Sequence, residues 1–167
     1  MELKPKLISF EGVQAALSKV ELYRFLNEPE EAESICKDVL AIEPGHQVAL
    51  RFLGLAITDQ FTGAPSDRYN EVENAFQQLT DRYERVYHTG LLHERRAKAQ
   101  LRAGRPPHTV FVLLEQAMQS YEEAEKLRPT GNDDPILRWN RCARLIQTHA
   151  ESDWHREVAI EMGDTTP

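Results

Sequence analysis

Apolar residues recur along this chain at steps of three and four. Ala32, Ile35, Cys36, Val39, Leu40 and Ile42 follow that spacing, and so do Val110, Leu113, Leu114, Ala117, Met118, Tyr121 and Ala124. Side chains so spaced line one face of an α-helix. No stretch holds a period of two through a turn-bounded β-branched run, so strands are not expected. Turn residues cut the pattern at Asn27-Glu28-Pro29, Pro44-Gly45, Thr62–Ser66, His88-Thr89-Gly90, Gly104–Pro107 and Pro129–Pro135. Pro29 and Pro135 suit first helical turns, where a missing N–H costs nothing; Ser66 or Asp67, and Asp134, are candidate N-caps. The spacing predicts helices over 11–26, 30–43, 46–61, 67–87, 90–103, 109–128 and 135–149, with a short eighth over 153–162. Only Gly90 separates 67–87 from 90–103, so one long helix is the alternative there.

Helices joined by short turns pack as antiparallel pairs, and pairs invite a search for internal repeats. Residues 13–46 form a 34-residue unit in which Tyr23 sits on helix A, Ala32 opens the packed face of helix B and Pro44 ends it. This unit resembles the tetratricopeptide repeat, whose pattern sets small residues at positions 8 and 20 and proline at 32. Along the chain, position 8 falls on Val20, Gly54, Ala97 and Ala143. Position 20 falls on Ala32, Ala75 and Ala117, and position 32 on Pro44, Tyr87 and Pro129. The frame closes if the second unit carries about nine extra residues and the third about eight, both in the A–B turn, where insertions cost least. Val20, Arg82, His93 and Arg96 depart from the pattern. The resemblance implies an all-α antiparallel helix-pair solenoid, a TPR-like superhelix of seven to eight helices. Its units lie near 13–46, 47–89 and 90–131, with a final helix over 135–149. Residues 1–10 form an N-terminal extension and 150–167 a short C-terminal helix and tail.

Composition narrows the function classes. Apolar residues make up 41% and charged residues 28% of 167, which suits one soluble domain with a core. The formal net charge is −7, a poor starting point for non-specific binding to nucleic acid or an anionic membrane. No window approaches the ~18 apolar residues of a membrane span, and Met1–Ile8 lacks a signal-peptide core, so a cytoplasmic location is expected. Cys36 and Cys142 are far apart and read as reduced apolar side chains.

The resemblance also implies where a ligand would lie: on the concave face of the A helices. The corresponding positions give Gln14, Leu17, Glu21, Arg24 and Phe25, then Val48, Arg51, Leu55, Thr58 and Asp59. They continue with Leu91, Glu94, Lys98, Leu101 and Arg102, and end on Leu137, Asn140, Arg144, Gln147 and Thr148. Five cations among these make a basic groove on an acidic protein, suited to carboxylates through Arg forks. The expected peptide-binding residues are Arg24, Phe25, Arg51, Leu55, Lys98, Arg102, Asn140 and Arg144. The expected function is a non-enzymatic interaction module or adaptor that holds a peptide segment, acidic or C-terminal. Self-assembly as a scaffold homo-oligomer is the alternative, with Trp154 as a cap or a docking residue.

Residues 82–105 carry seven Arg or Lys against two Glu, a lesser candidate for RNA or DNA phosphate. No HExxH, Cys/His zinc spacing, GxSxG or phosphate-binding glycine loop occurs, so no catalytic residues, metal or cofactor are expected. Histidines are read as exposed or turn residues.

Overall fold

The structure, a computed structural model, describes residues 3–163, and of residues 153–159 and 161–163 the backbone alone. The readings of Trp154 and His155 therefore fall outside the described side chains. Among the described residues the chain is all-α, with no strand. A 3-10 turn (Phe10–Gly12) leads into α1 (Val13–Phe25), α2 (Pro29–Ile42), α3 (Gln47–Asp59), α4 (Tyr69–Gln77), α5 (Arg82–Arg102), α6 (Pro107–Leu127) and α7 (Asp134–Gly163). Each helix packs on the next, while α1 also meets α3 and α3 meets α5. That is the arrangement of a helical solenoid: α1, α3, α5 and α7 form one layer, and α2, α4 and α6 the other. No helix among the described residues is long and apolar enough to cross a membrane.

Small residues set the helix spacing. Ala32, Ala97 and Ala117 are fully buried, and Ala75 is nearly so; Val20, the larger residue at the first unit's position 8, is fully buried too. At Gly54 an added Cβ would stand 2.2 Å from Cε1 of Phe76, so only glycine lets the α4 ring lie on the α3 backbone. Leu50, Ile57, Val72, Phe76 and Leu92 fill the core between α1 and α5; Leu114, Ala117, Tyr121 and Cys142 fill the second core between α5 and α7.

Several boundaries differ from the sequence pattern. The expected helix over 67–87 breaks instead after Gln77. The chain turns there because Leu79 is buried, Thr80 donates its N–H to Oε1 of Gln47 (2.8 Å), and Asp81 caps α5 by accepting from Glu84 N (2.8 Å). Gly90 breaks nothing: it lies mid-α5, where a Cβ would meet Cε1 of Tyr121 at 2.7 Å. Tyr87, placed by the frame at the end of a B helix, sits inside α5. The connection between α5 and α6 is residues 103–106 alone, so the third unit's extra length lengthens its helices rather than its loop. The expected separate helix over 153–162 is the continuation of α7.

The enlarged loop of the second unit, 60–68, is tied down. Asp67 does not cap α4. Its carboxylate accepts from Thr62 N (2.9 Å), Thr62 Oγ1 (3.0 Å) and Gly63 N (2.7 Å). Arg68 then forks onto buried Glu33 of α2, with both contacts at 2.6 Å, and Lys37 and Gln60 donate to the same carboxylate. The Arg68 hydrogen bonds outweigh the opposing effect of burial, and with Lys37 and Gln60 they hold the Glu33 carboxyl near 2, below its ordinary 4.5. A depressed carboxyl stabilises the fold fully above its unfolded value and loses that contribution as pH falls through its folded value. Stability should therefore fall between pH 4.5 and 2, and Glu33→Gln should flatten that fall. Urea midpoints across this range check it; an unchanged slope in the variant would refute the Glu33 assignment.

Candidate functional site

The A-helix layer carries a concave groove formed by two adjoining clefts. One, of about 630 Å³, is lined by Glu21, Arg24 and Phe25 of α1, Phe52, Thr58 and Asp59 of α3, Glu94, Arg95, Lys98 and Arg102 of α5, and Arg138 of α7. The other, of about 390 Å³, shares Glu21, Arg24, Phe52, Arg95 and Arg138. It adds Arg51, Leu55, Glu84, His88 and Leu91, then Tyr83, Tyr87, Asn132 and Asp134 at its far end.

Most of the groove's cations are held by carboxylates of the chain itself. Arg24 donates from Nε to Asp59 Oδ2 at 2.7 Å, and Arg95 grips the other Asp59 oxygen while reaching Thr58 Oγ1 at 2.9 Å. Asp59 thus ties α1 to α5 across α3. Deeper in the groove, Glu94 is 0% exposed. It accepts from Tyr121 Oη of α6 at 2.6 Å, from Lys98, and from Arg138 Nη1 at 3.4 Å. Burial pushes the Glu94 carboxyl up. The Lys98 and Tyr121 hydrogen bonds and the charges of Lys98 and Arg138 outweigh that and hold it below its ordinary value. It is therefore an anion at neutral pH, and it anchors two cations in fixed positions. Arg51 lies 3.6 Å from Glu84.

His88 is buried rather than exposed or in a turn. Its Nδ1–H donates to the backbone carbonyl of Glu84 at 2.7 Å, and its ring leans on Phe76 with centroids 5.1 Å apart. Burial pushes it down to about 4, so it is neutral at physiological pH and adds no charge to the groove.

No protein-family model, curated protein or solved structure matches this chain.

Of the expected binding residues, Arg24, Phe25, Lys98 and Arg102 converge on the larger cleft, and Arg51 and Leu55 on the smaller. Asn140 and Arg144 line neither. On α7 the groove-facing residues are Asp134 and Arg138, one helical turn apart and nearer the helix start. Leu17 and Val48, also on the expected concave face, belong to the core. Phe25 is 87% exposed at the groove lip. Arg138 is not among the positions the repeat spacing gives, and Arg95 enters the sequence pattern only as part of the basic 82–105 stretch. Arg95 follows Glu94 directly and was passed over by the repeat spacing, while the place of Arg138 depends on α5 meeting α7 at the buried Glu94.

The basic 82–105 stretch is spread over separate surfaces. Arg95, Lys98 and Arg102 face the groove. Arg96 stacks over Tyr69 and shares a separate cleft, outside the groove, with Arg105. Arg82 pairs with Glu123 at 2.9 Å, and Arg85 donates to the Leu79 carbonyl at 2.6 Å.

Proposed function

We propose that this chain is a divergent tetratricopeptide-type solenoid that works as a binding module, not an enzyme, and holds an anionic peptide segment in its A-helix groove. One observation carries the reading: Arg24, Arg95, Lys98, Arg102 and Arg138, from three different helices, line one open cleft beside exposed Phe25. Against them that cleft sets Glu21, Asp59 and Glu94, which leaves it net positive on a chain whose formal charge is −7. A peptide carboxylate would find guanidinium forks there, and an apolar neighbour would find Phe25 and Leu55. The repeat assignment draws support from the sequential helix pairing and from buried small residues at Ala32, Ala75, Ala97 and Ala117.

Retention of degenerate nonapeptide libraries on immobilised protein tests the reading. A library with a central Glu should be held more tightly than one with a central Ser, and one with a central Lys should not be held. Preferential retention of the Lys library, or equal retention of all three, would contradict it.

A second reading, self-assembly, is favoured by α1. As the first described helix it leaves Leu22 and Phe25 exposed, with exposed Leu26 at its C-terminal end, and Leu3, Leu7 and Phe10 ahead of its N-terminal end are exposed as well. Light scattering at micromolar concentration separates the readings: a 19.2 kDa particle argues against assembly.

A further inference from the structure

We infer that the anion this groove takes is a phosphorylated side chain of the peptide, bound between the Asp59 and Glu94 clusters. The inference rests on the peptide reading above and specifies its chemistry. Arg24 and Arg95 share the single charge of Asp59; Lys98 and Arg138 share the single charge of Glu94. Each cluster is therefore left with one positive charge, and both open into the same cleft. Arg102 adds another cation with no ion pair among the described residues, and Glu21 offsets it. The cleft thus carries a surplus of about two charges. A lone carboxylate would balance half of it, whereas a phosphate monoester near its dianionic form balances all of it at one point.

Donor geometry agrees with the charge. Arg95 engages Asp59 and Thr58 through Nη1 alone, which leaves Nε and Nη2 as a fork for a ligand. Arg24 uses Nε and Nη2 on Asp59 and keeps Nη1. A phosphate offers three oxygens to such donors, and a carboxylate offers two. The donors are also preset. Asp59 is held from two sides, and Glu94 is locked by Tyr121, so little side-chain entropy is lost when the anion arrives. Nucleic acid phosphate fits less well. Glu84 and Asp134 line the groove's continuation, where a polyanion would have to run.

The test adds a library with a central phosphoserine to those with Glu, Ser and Lys, and uses orthophosphate as competitor. The phosphoserine library should be held about tenfold more tightly than the Glu library, as one further unit of charge implies. Millimolar orthophosphate should displace it, and Arg95→Gln, with its helix content checked by circular dichroism, should lose the preference. Equal retention of the phosphoserine and Glu libraries, both above Ser, would overturn the phosphate assignment and leave the peptide groove standing. Retention of Lys, or no discrimination at all, would overturn both. Orthophosphate binding without a preference among the peptides, or displacement of phosphoserine peptides by a single-stranded oligonucleotide at lower concentration than orthophosphate, would also overturn the inference.

Discussion

Replacing Phe76 with alanine should destabilise the fold by about 3–5 kcal/mol, the range for removing a fully buried aromatic ring. Phe76 is 0% exposed. Its ring fills the space over Gly54 and leans on His88, so it joins α3, α4 and α5 at one point. Collapse cannot close the gap cheaply. Phe76 is the largest of the three residues that the nine-residue helix α4 buries, Val72 and Ala75 being the others. Urea denaturation gives the value directly. A cost below about 1 kcal/mol would mean that α4 repacks and that the Gly54 contact does not set its place.

The groove should respond as strongly in binding. Arg95→Glu with Arg102→Glu is expected to weaken the retained acidic peptide about a hundredfold. Each reversal changes the local charge by two. At an effective dielectric of about 20, and allowing for salt, that is roughly 1–2 kcal/mol apiece. Arg102 is exposed, so reversing it should leave stability unchanged. Arg95→Glu places a carboxylate beside Asp59 and should lower the melting temperature modestly, which a parallel thermal scan separates from the binding loss. Fluorescence anisotropy of a labelled peptide measures the affinity. An undiminished affinity would remove these residues from the site.

The parts of the fold that depend on local pattern were legible in the sequence. Three- and four-residue spacing marked the faces of α2 and α6, and small residues marked the close approaches at Gly54, Ala32 and Ala117. What was not legible depends on residues far apart in the chain. Gly90 reads locally as a breaker, yet it is needed because Tyr121 lies across it. The true break at 78–81 contains neither glycine nor proline. It is imposed by the burial of Leu79, the cap at Asp81 and the bond from Thr80 to Gln47.

The same division holds in the groove. The repeat spacing pointed to Arg24, Phe25, Lys98 and Arg102, which do converge. It could not show that Asp59 and Glu94 would take up part of their charge, since those pairings are set by tertiary packing. Nor could it place Asn140 and Arg144 outside the groove while Arg138 enters it. That follows from how α7 meets the buried Glu94. The extra length read as a loop at 104–108 went into α5 and α6. These longer helices keep Tyr121 opposite Glu94, and so build the floor on which the groove's cations rest.

The most direct test of the groove is amide chemical-shift mapping, in nitrogen-15-labelled protein, of the tightest peptide recovered from the libraries. The largest shifts should fall on α1 near Arg24, on α3 near Asp59, on α5 from Glu94 to Arg102, and on α7 near Arg138. Shifts confined to α2, α4 and α6, the opposite layer, would contradict the account.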